Sequence, residues 1–442
     1  MMSNKFHYRV WLITMGLLMI VPISSYAWSN HTFLTYPALR GLPEFQEPIP
    51  AEPLESFLVK EKDKIGELLK AEEAWAVSNI TAYPPLPTAL DFSKSKEADF
   101  RLRFLKALRL NPEMKLPLYS MVLPGSPVPA KQSIPRTALS VLKHDFQNTI
   151  YVPLNPGEKI SALEVLATAA DEPDNGLDIN LWEDNDTPFG KEYGYGKQPF
   201  GNPKLDYGTQ APFHMGFYHE SSIVYKAAPS FQKTFPEQRA HLYQSLTKLA
   251  FQTGHSYWGY RFAGWGLHYV QDMTMPYHTT IMPGRMTITM LSIALLDMIG
   301  IHGPYKSAVS EVSRAHILIE KLQNEGLREA YKKQQKDYVL FKALGDSAAD
   351  SAYPAYSDHF ISQVAAKGSN VVAKSLPSIL KAIVTDKKAY RDIEKISEEG
   401  DYDAGKIIAG APEKKAQEYN RLIENQMRSL GAFTRIYLKS IK

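Results

Sequence analysis

The segment GWGLHYVQDMTMPYHTT, residues 264–280, places three side chains that can bind a metal ion within an otherwise apolar and aromatic run. His268 and Asp272 are four residues apart, so on a helix they lie one turn apart on the same face. Pro276 cannot continue that helix, which predicts a turn that brings His278 back toward the pair. Imidazole and carboxylate together suit a divalent ion such as zinc. A salt-bridged or capped pair in a core helix has the same spacing, so the assignment depends on further ligands.

Further candidate ligands occur at four other places in the chain. Cleavage after the alanine of AWSNH would leave a free α-amine, which can bind a metal once deprotonated. The segments TAAD and APFHMGFYHE each add one ligand, and SRAHILIE repeats the one-turn helix spacing. Taken singly, these are equally typical of a frayed terminus, a helix end, a loop histidine or a solvated helix face. The candidates are Trp28, His31, Asp171, His214, His316 and Glu320.

The composition limits the kind of protein and of metal site. The 442 residues are 44% hydrophobic, enough for one large domain or two ordinary ones. The chain has twelve histidines and no cysteine, so any zinc site must use histidine and carboxylate ligands. Such ligand sets are more often catalytic than structural.

The N-terminus has the features of a secretory signal peptide. A basic start with Lys5 and Arg9 is followed by the apolar run VWLITMGLLMIVPI and by SSYA, which ends at Ala27. We therefore expect an exported protein, secreted or periplasmic, that begins at Trp28. Of the 50 Lys and Arg residues those two are removed, which leaves 48 bases against 47 acids. A chain this close to neutrality lacks the overall field that grips a nucleic acid, so we expect no nucleic-acid partner.

Hydrophobic periodicity predicts a mostly α-helical protein with sparse strand signals. We expect one domain over 28–442, with proline-rich connectors and short helices in 33–160, a Gly/Pro/aromatic insertion at 183–212 and C-terminal helices in 330–442. The predicted helices in the second half are 236–253, 256–273, 286–299, 305–325, 358–384 and 412–440.

The methionine-rich segment MTITMLSIALLDMIGI, residues 286–301, is apolar but too short to span a bilayer. Two interpretations fit it. It could be an interfacial ledge that lets a lipid approach the metals, or a buried helix that packs the bundle.

In order and pairing, these residues resemble the zinc-dependent phospholipase C family, whose trinuclear-zinc fold also contains secreted single-strand nucleases. The family pattern is an N-terminal Trp, a His, an AAD aspartate, a His, a helical LHYxxD, a His six residues later and a final HxxxE or HxxxD. WSNH, ATAADEPDNGLDINLWED, QPFGNP and QAPFHMGFYHE are similar to the larger exported bacterial enzymes. The fold expected from the resemblance is a multi-helix phospholipase C-like or P1-nuclease-like bundle with long loop insertions.

The resemblance implies three zinc ions per chain. The first set of ligands would be Asp171, His214, His268 and Asp272. The second would be Trp28, His31 and the other oxygen of Asp272, and the third would be His278, His316 and Glu320. The implied reaction is attack of activated water on a phosphodiester, with Asp171 as the catalytic residue that orients or deprotonates the water.

These observations predict a phospholipase C that cleaves phosphatidylcholine-like lipids at a membrane surface to diacylglycerol and a phosphorylated headgroup. The alternatives are a single-strand nuclease or 3′-nucleotidase on the same metals, and a non-catalytic exported protein stabilised by zinc. No obligate protein partner is evident. The headgroup site is not fixed, because Glu172 stands where compact family members have an aromatic residue; Glu172, Phe213 and Tyr218 are the substrate-binding candidates, and Trp182 could join a choline cage.

Overall fold

A computed structural model of the chain describes residues 30–142, 149–399 and 403–441. Helices make up 62% of these described residues and strands 4%, which confirms the prediction of a mostly α-helical bundle. The expected signal peptide and Trp28 lie outside the described residues, so those predictions stay open.

The first half of the chain has short helices separated by extended connectors. The helices are α1 (His31–Leu39), α2 (Leu54–Lys60), α3 (Lys62–Asn79), α4 (Phe100–Ala107), α5 (Ala162–Ala170), α6 (Pro188–Glu192), α7 (Asp206–Thr209), α8 (Ala211–His214) and α9 (Ser222–Ala227). The strands are β1 (Pro48–Pro50), β2 (Tyr119–Val122), β3 (Ile150–Pro153) and β4 (Lys159–Ser161). They form two antiparallel pairs, β1 with β4 and β2 with β3, with Ile49 opposite Ile160 and Ser120 opposite Val152.

The second half carries the longer helices. They are α10 (Pro236–Gln252), α11 (Ser256–Asp272), α12 (Pro276–Thr279), α13 (Thr287–Met298), α14 (Gly303–Lys332), α15 (Val339–Leu344), α16 (Lys367–Val372), α17 (Leu376–Ile383), α18 (Lys387–Glu399), α19 (Gly405–Ile408) and α20 (Glu413–Lys439). A π-helical turn, Ile361–Ala366, precedes α16. The 3-10 turns are Pro43–Phe45, Thr88–Leu90, Phe92–Lys94, Glu97–Asp99, Arg136–Ala138, Pro173–Asn175, Glu183–Asn185, Pro229–Gln232 and Ser347–Ala352.

The predicted helix boundaries agree best where the apolar pattern is strongest. Helices α10, α11, α13 and α20 each begin and end within one residue of the predicted limits. The single helix predicted over 358–384 is instead divided among the π-turn, α16 and α17. Pro377 occupies the first turn of α17, where its missing N–H is tolerated, whereas inside a continuous helix it would break the hydrogen-bond pattern.

Helix α11 is the centre of the bundle and carries two of the predicted ligands. It packs against α10, α5 and α20, and 15 of its 17 residues are buried. An apolar helix without a polar face is stable only when neighbours cover it on all sides. This arrangement removes His268 and Asp272 from water.

Gly264 allows α11 and α5 to approach closely. A Cβ at this position would lie 2.6 Å from the Cβ of Ala169 and 2.7 Å from the carbonyl oxygen of Leu166, both too short for real contacts. The close packing brings the last carbonyl group of α5, that of Ala170, to 2.8 Å from Nδ1 of His268. The glycine in GWG thus positions the histidine one turn after it.

Local capping fixes where α1 and α5 begin. The Asn30 side chain accepts a hydrogen bond from the N–H of Phe33 at 3.1 Å, and Ser161 forms a capping box with Glu164 before α5. The two helices then meet end to end, since the N–H of His31 donates to Oδ1 of Asp171 at 2.9 Å. A carboxylate at a helix N-terminus is stabilised by the unpaired N–H groups there.

Within the described ranges, no helix has both the length and the apolar character that crossing a membrane requires. Helix α13, the most conspicuous apolar segment of that part, has 12 residues. Such a helix is about 18 Å long, well short of the roughly 30 Å hydrocarbon core of a bilayer.

We expect Gly264→Ala to lower the free energy of unfolding by about 1–3 kcal/mol, because the added methyl group forces α5 and α11 apart. Urea denaturation followed by circular dichroism measures the change. Gly368→Ala in α16 is the matched control, because a Cβ there meets no atom within 4 Å. Equal effects of the two substitutions would contradict the packing argument.

Candidate metal centre

Five separate helices converge on one buried cluster of histidines and carboxylates. Eight of the nine predicted ligands lie in the described ranges, and the structure brings seven of them together. Their ligand atoms form groups in which the members lie within 4.8 Å of one another. The seven are His31 on α1, His214 at the end of α8, His268 and Asp272 on α11, His278 on α12, and His316 and Glu320 on α14.

The first group contains two imidazole nitrogens with a carboxylate oxygen of Asp174 and one of Asp272 beside them. Nδ1 of His214 lies 2.9 Å from Nε2 of His268, and Oδ2 of Asp272 lies 3.1 Å and 3.3 Å from these two nitrogens. Oδ1 of Asp174 completes the group at 3.6 Å from His214 Nδ1 and 3.9 Å from His268 Nε2. Each carboxylate oxygen therefore lies within 3.9 Å of both imidazole nitrogens, which is close enough for the four atoms to be considered ligands of one ion.

Asp272 divides its two oxygens between neighbouring groups. While Oδ2 belongs to the first group, Oδ1 lies 3.4 Å from Nε2 of His31 and 3.7 Å from Nδ1 of His278. Asp174 divides its oxygens in the same way, because its Oδ2 lies 4.0 Å from His31 Nε2. Two carboxylates are thus placed to bridge adjacent cations.

The third group consists of His278, His316 and Glu320. Nε2 of His316 lies 2.7 Å from Oε1 of Glu320, as their one-turn spacing on α14 requires. Within the described residues, both ring nitrogens of His278, Nε2 of His316, Oε1 of Glu320 and both oxygens of Asp272 have no hydrogen-bond partner. Buried polar atoms of this kind are normally paired, so this cluster fits a set of ligands for metal ions.

The first group contains Asp174 at the position where the sequence predicted Asp171. Asp171 is the C-cap residue of α5 and directs an oxygen to the backbone of α1. Pro173 then begins a 3-10 turn that carries Asp174 into the interior, where it is 4% exposed. Asp171 is 9% exposed, more than any of the seven clustered ligands. It therefore lies at the border of the cluster and is buried less deeply than its centre.

Burial and mutual contact set the charges of these groups. Burial alone would raise the pKa of Asp272, but the imidazoles of His268, His214 and His31 hold it well below its usual range. Burial lowers the pKa of both His278 and His316 to about 3, and burial raises the pKa of Glu320 well above its usual range. Burial therefore favours the uncharged forms of these three side chains, whereas a bound cation would favour the carboxylate form of Glu320.

Residues outside the cluster fix which nitrogen of His268 and which nitrogen of His31 face inward. The carbonyl oxygen of Ala170 accepts only, so it holds the proton on Nδ1 of His268 and leaves Nε2 bare. Oε1 of Gln271 does the same for Nδ1 of His31 at 2.8 Å, while the Gln271 amide donates to the hydroxyls of Thr35 and Thr434. Such outer contacts orient metal-binding histidines and raise their affinity.

His214 has a carboxylate as its outer partner. Its Nε2 lies 3.4 Å from Oδ2 of Asp178, whose other oxygen lies 2.7 Å from the buried Arg239 guanidinium. Burial alone would lower the pKa of His214, but Asp178 and Asp272 raise it to about 10. The sequence argument missed Asp174, Asp178 and Gln271. The signal was present in DEPDNGLD, where carboxylates at 171, 174 and 178 follow a helix at near-helical spacing.

The predicted substrate-binding residues are buried away from an open site. Glu172 is 1% exposed and forms an ion pair with Arg261, at 2.5 Å from Nη2 and 3.0 Å from Nε, and accepts a hydrogen bond from Trp265. Phe213 is fully buried beneath the Arg239 guanidinium, and Trp182 is 1% exposed and stacks nearby. The hydroxyl of the half-buried Tyr218 is itself buried, and burial raises its pKa.

Glu172, Phe213 and Trp182 cannot contact a choline group in this conformation, because the core covers them, whereas the ring of Tyr218 is partly exposed. The glutamate at 172 replaces an aromatic contact by a buried ion pair, whose partner is 89 residues away in the sequence.

Comparison of the chain with protein-family models, with curated proteins and with solved structures found no match. The geometry of the cluster therefore carries the functional argument. The cluster contains buried His, Asp and Glu side chains that could hold metal ions. The two oxygens of Asp272 face different histidines within it.

We expect Asp272→Asn to lower the bound metal content by more than Glu320→Gln does. The substitution Asp272→Asn replaces a carboxylate whose oxygens face two groups by a neutral amide. The Glu320 carboxylate belongs to the third group alone. Elemental analysis after dialysis measures the bound ions per chain. Glu329→Gln, on an exposed part of α14, is the control and should retain the wild-type content. Equal losses for Asp272→Asn and Glu320→Gln would contradict the bridging role.

We expect Glu172→Gln to destabilise the fold by about 3–5 kcal/mol, because it leaves the Arg261 guanidinium buried without its counter-charge. The matched control is Glu55→Gln, which breaks the exposed pair with Arg101 and should cost about 1 kcal/mol or less. Denaturant unfolding measures both. A loss of metal-dependent activity by Glu172→Gln at unchanged stability would restore Glu172 as a substrate contact.

Proposed function

We propose that this chain is an exported zinc-dependent phospholipase C that hydrolyses phosphatidylcholine-like lipids to diacylglycerol and a phosphorylated headgroup. The observation that carries the proposal is the position of Asp272. Its two oxygens face different groups of histidines, at 3.1–3.7 Å. A carboxylate shared between adjacent cation sites is the arrangement that phosphodiester-cleaving two-metal centres use.

The donor atoms support zinc as the metal. With zinc bonds of about 2.0–2.1 Å to nitrogen and oxygen, the edges of a tetrahedral site are about 3.3–3.4 Å long. The first group has edges of 2.9–3.9 Å between two imidazole nitrogens and two carboxylate oxygens. Calcium and magnesium prefer sites made of oxygen ligands, which this group is not.

Three sets of residues would hold the ions. Asp174, His214, His268 and Asp272 would form the first, and His278, His316 and Glu320 the third. His31 and the second oxygens of Asp272 and Asp174 would form the remaining set. In the proposal the Trp28 amine completes that set; Trp28 lies outside the described residues, but His31 begins α1 three positions later.

When bound, divalent ions at such spacing lower the pKa of water and offset charge that develops on a phosphodiester oxygen. The protein supplies orientation. The carbonyl of Ala170 and the amide of Gln271 keep protons on the outer nitrogens of His268 and His31, so the inner nitrogens stay available. The Asp178 carboxylate forms an ion pair with Arg239 and lies beside the outer nitrogen of His214, where it offsets positive charge on that imidazole.

Asp171 keeps its proposed role as the residue that orients the attacking water and accepts its proton. One of its oxygens is fixed by the N–H of His31, which holds the carboxylate beside the cluster. With Asp174 in the first group, Asp171 is not needed there as a ligand. Its 9% exposure, the largest among the site residues, supports contact with water.

The proposal of a lipid substrate is based on the family resemblance and on the near-neutral net charge of the chain. The mature chain would have 48 bases against 47 acids, a balance that gives no general attraction for nucleic acid. A single-strand nuclease on the same metals is the closest alternative, and a non-catalytic zinc-stabilised protein is the second.

The test uses the chain beginning at Trp28, loaded with zinc and mixed with phosphatidylcholine vesicles. We expect release of phosphocholine that a chelator abolishes and added zinc restores. We also expect Asp171→Asn to lower kcat by roughly 10²–10⁴-fold, the usual contribution of a general base, with unchanged metal content. Phosphocholine is measured by a coupled assay and bound zinc by elemental analysis.

Single-stranded DNA and a 3′-nucleotide serve as parallel substrates. Cleavage of these without phosphocholine release would establish the nuclease. Zinc-loaded protein that is inert toward every phosphodiester would establish the non-catalytic alternative. Loss of zinc from Asp171→Asn would make Asp171 a ligand after all.

A further inference from the structure

Helix α13 has apolar side chains on two opposite faces. Met290 and Ile293 face the protein and are 9% and 7% exposed. Ile288, Leu295 and Ile299 follow one another at helical spacing on the other side and are 65%, 60% and 65% exposed. An outward helix face in a globular protein is normally polar. The buried inner face packs against the rest of the protein. The apolar side chains of the outer face are exposed to solvent.

The exposed apolar surface is larger than this one stripe. Six of the fourteen large apolar side chains that are exposed in the described ranges fall within residues 286–301. They are Met286, Ile288, Leu295, Met298, Ile299 and Ile301. Helix α9, which packs against α13, adds Ile223 at 54% exposure. Concentrated apolar exposure marks a binding surface, whereas single exposed residues do not.

A basic cleft begins where this surface ends. The cleft has a volume of about 830 Å³ and lies between the start of α14 and the helices α17 and α18. Its basic residues are Arg285, Arg314, Lys374, Lys381, Lys387 and Arg391. Arg285 immediately precedes Met286, so the cleft and the apolar surface are continuous along the chain.

The cleft has an excess of unpaired positive charge. Glu311 is its one acidic lining residue, and it pairs with Arg285 at 2.5 Å. The other five bases form no ion pair with a described carboxylate. Nε of Arg314 is buried and has no hydrogen-bond partner in the described ranges. A cleft lined by six basic residues and one acidic residue favours a ligand that carries phosphate.

The cleft also adjoins the third metal group. Tyr277 lines the cleft and stacks on the His316 ring, with 5.5 Å between ring centres and 15° between planes. Helix α13 connects α12, which carries His278, to α14, which carries His316 and Glu320. The exposed apolar surface therefore belongs to the chain segment that joins ligands of one metal group.

We infer that the outer face of α13 and the basic cleft form one docking surface for a bilayer that contains anionic phospholipids. The apolar side chains would enter the region between headgroups and acyl chains, and the lysines and arginines would bind lipid phosphates. A bilayer combines an apolar interior with negative phosphates at its border, which complements an apolar face bordered by unpaired cations. The inference rests on the proposed function, because a lipid substrate is the reason to bring the metal groups to a membrane.

The test measures vesicle binding separately from hydrolysis. The zinc-loaded chain is sedimented with vesicles of phosphatidylcholine, with or without phosphatidylglycerol. The apolar variant is Ile288→Ser, Leu295→Ser and Met298→Ser combined, and its control is Val59→Ser, Val77→Ser and Leu102→Ser, which are 45–48% exposed on α2, α3 and α4. The basic variant is Lys374→Gln, Lys381→Gln and Lys387→Gln. Its control changes the exposed Lys332, Lys333 and Lys342 to Gln.

We expect the apolar variant to bind both vesicles about tenfold more weakly or worse, because it removes the inserted surface. The basic variant should lose the preference for phosphatidylglycerol and keep its weaker binding to phosphatidylcholine. Both controls should bind as the unaltered chain does. Hydrolysis of a short-chain phosphatidylcholine dissolved as monomers should stay within twofold in every variant, because the docking surface holds none of the proposed metal ligands.

The inference is overturned if the unaltered chain does not sediment with either vesicle, or if the apolar variant binds as well as its control. It is also overturned if light scattering shows a dimer that the apolar variant dissociates, since α13 would then contact a second copy. Vesicle binding by α13 without hydrolysis of any lipid, monomeric or in vesicles, would retain the docking surface and contradict the proposed phospholipase.

Discussion

The buried carboxylate of Asp272 is the constraint on which the rest of the molecule depends. Four imidazoles, from α1, α8, α11 and α12, face its two oxygens at 3.1–3.7 Å. A carboxylate without water is stable only when cations or hydrogen-bond donors surround it. These imidazoles come from four different helices, so the packing of those helices against one another determines what surrounds the Asp272 carboxylate.

Polar groups inside the core provide much of this precision. Glu172 bonds to Arg261 and Trp265 on α11, and Asp178 bonds to Arg239 on α10 and to Tyr269 on α11. Each contact joins the acidic turn after α5 to a neighbouring helix. Buried ion pairs contribute little net stability, but breaking one is expensive. They therefore fix the orientation of the turn that carries Asp171 and Asp174, while the aromatic core supplies the apolar burial.

The chain segment between His278 and His316 links the interior of the protein to its surface. Between His278 and His316 the chain leaves the cluster, forms α13 and returns along α14. Its inner residues pack in a small apolar cluster with Phe217, Phe231 and Val309. Its outer residues face solvent beside a cleft of unpaired bases. One connection thus joins two metal-binding helices and carries an exposed apolar surface.

The sequence by itself determined the helices and the ligands whose spacing is local. His268 with Asp272, and His316 with Glu320, share a helix face wherever that helix lies. Pro276 likewise predicts the turn that returns His278. The helical period and the spacing of side chains along a helix follow from backbone geometry, so the sequence reveals them without knowledge of the fold.

Tertiary structure alone decided which carboxylates face the cluster and which side of α13 is covered. Asp171, Asp174 and Asp178 are equivalent in sequence, and the choice among them follows from contacts with α1, α8 and Arg239, up to 140 residues away. Glu172 was predicted near substrate because it stands where compact family members have an aromatic residue, and only the fold shows its ion pair with Arg261, 89 residues away. The apolar pattern of 286–301 fits burial and exposure equally, because periodicity describes the helix and says nothing about its neighbours.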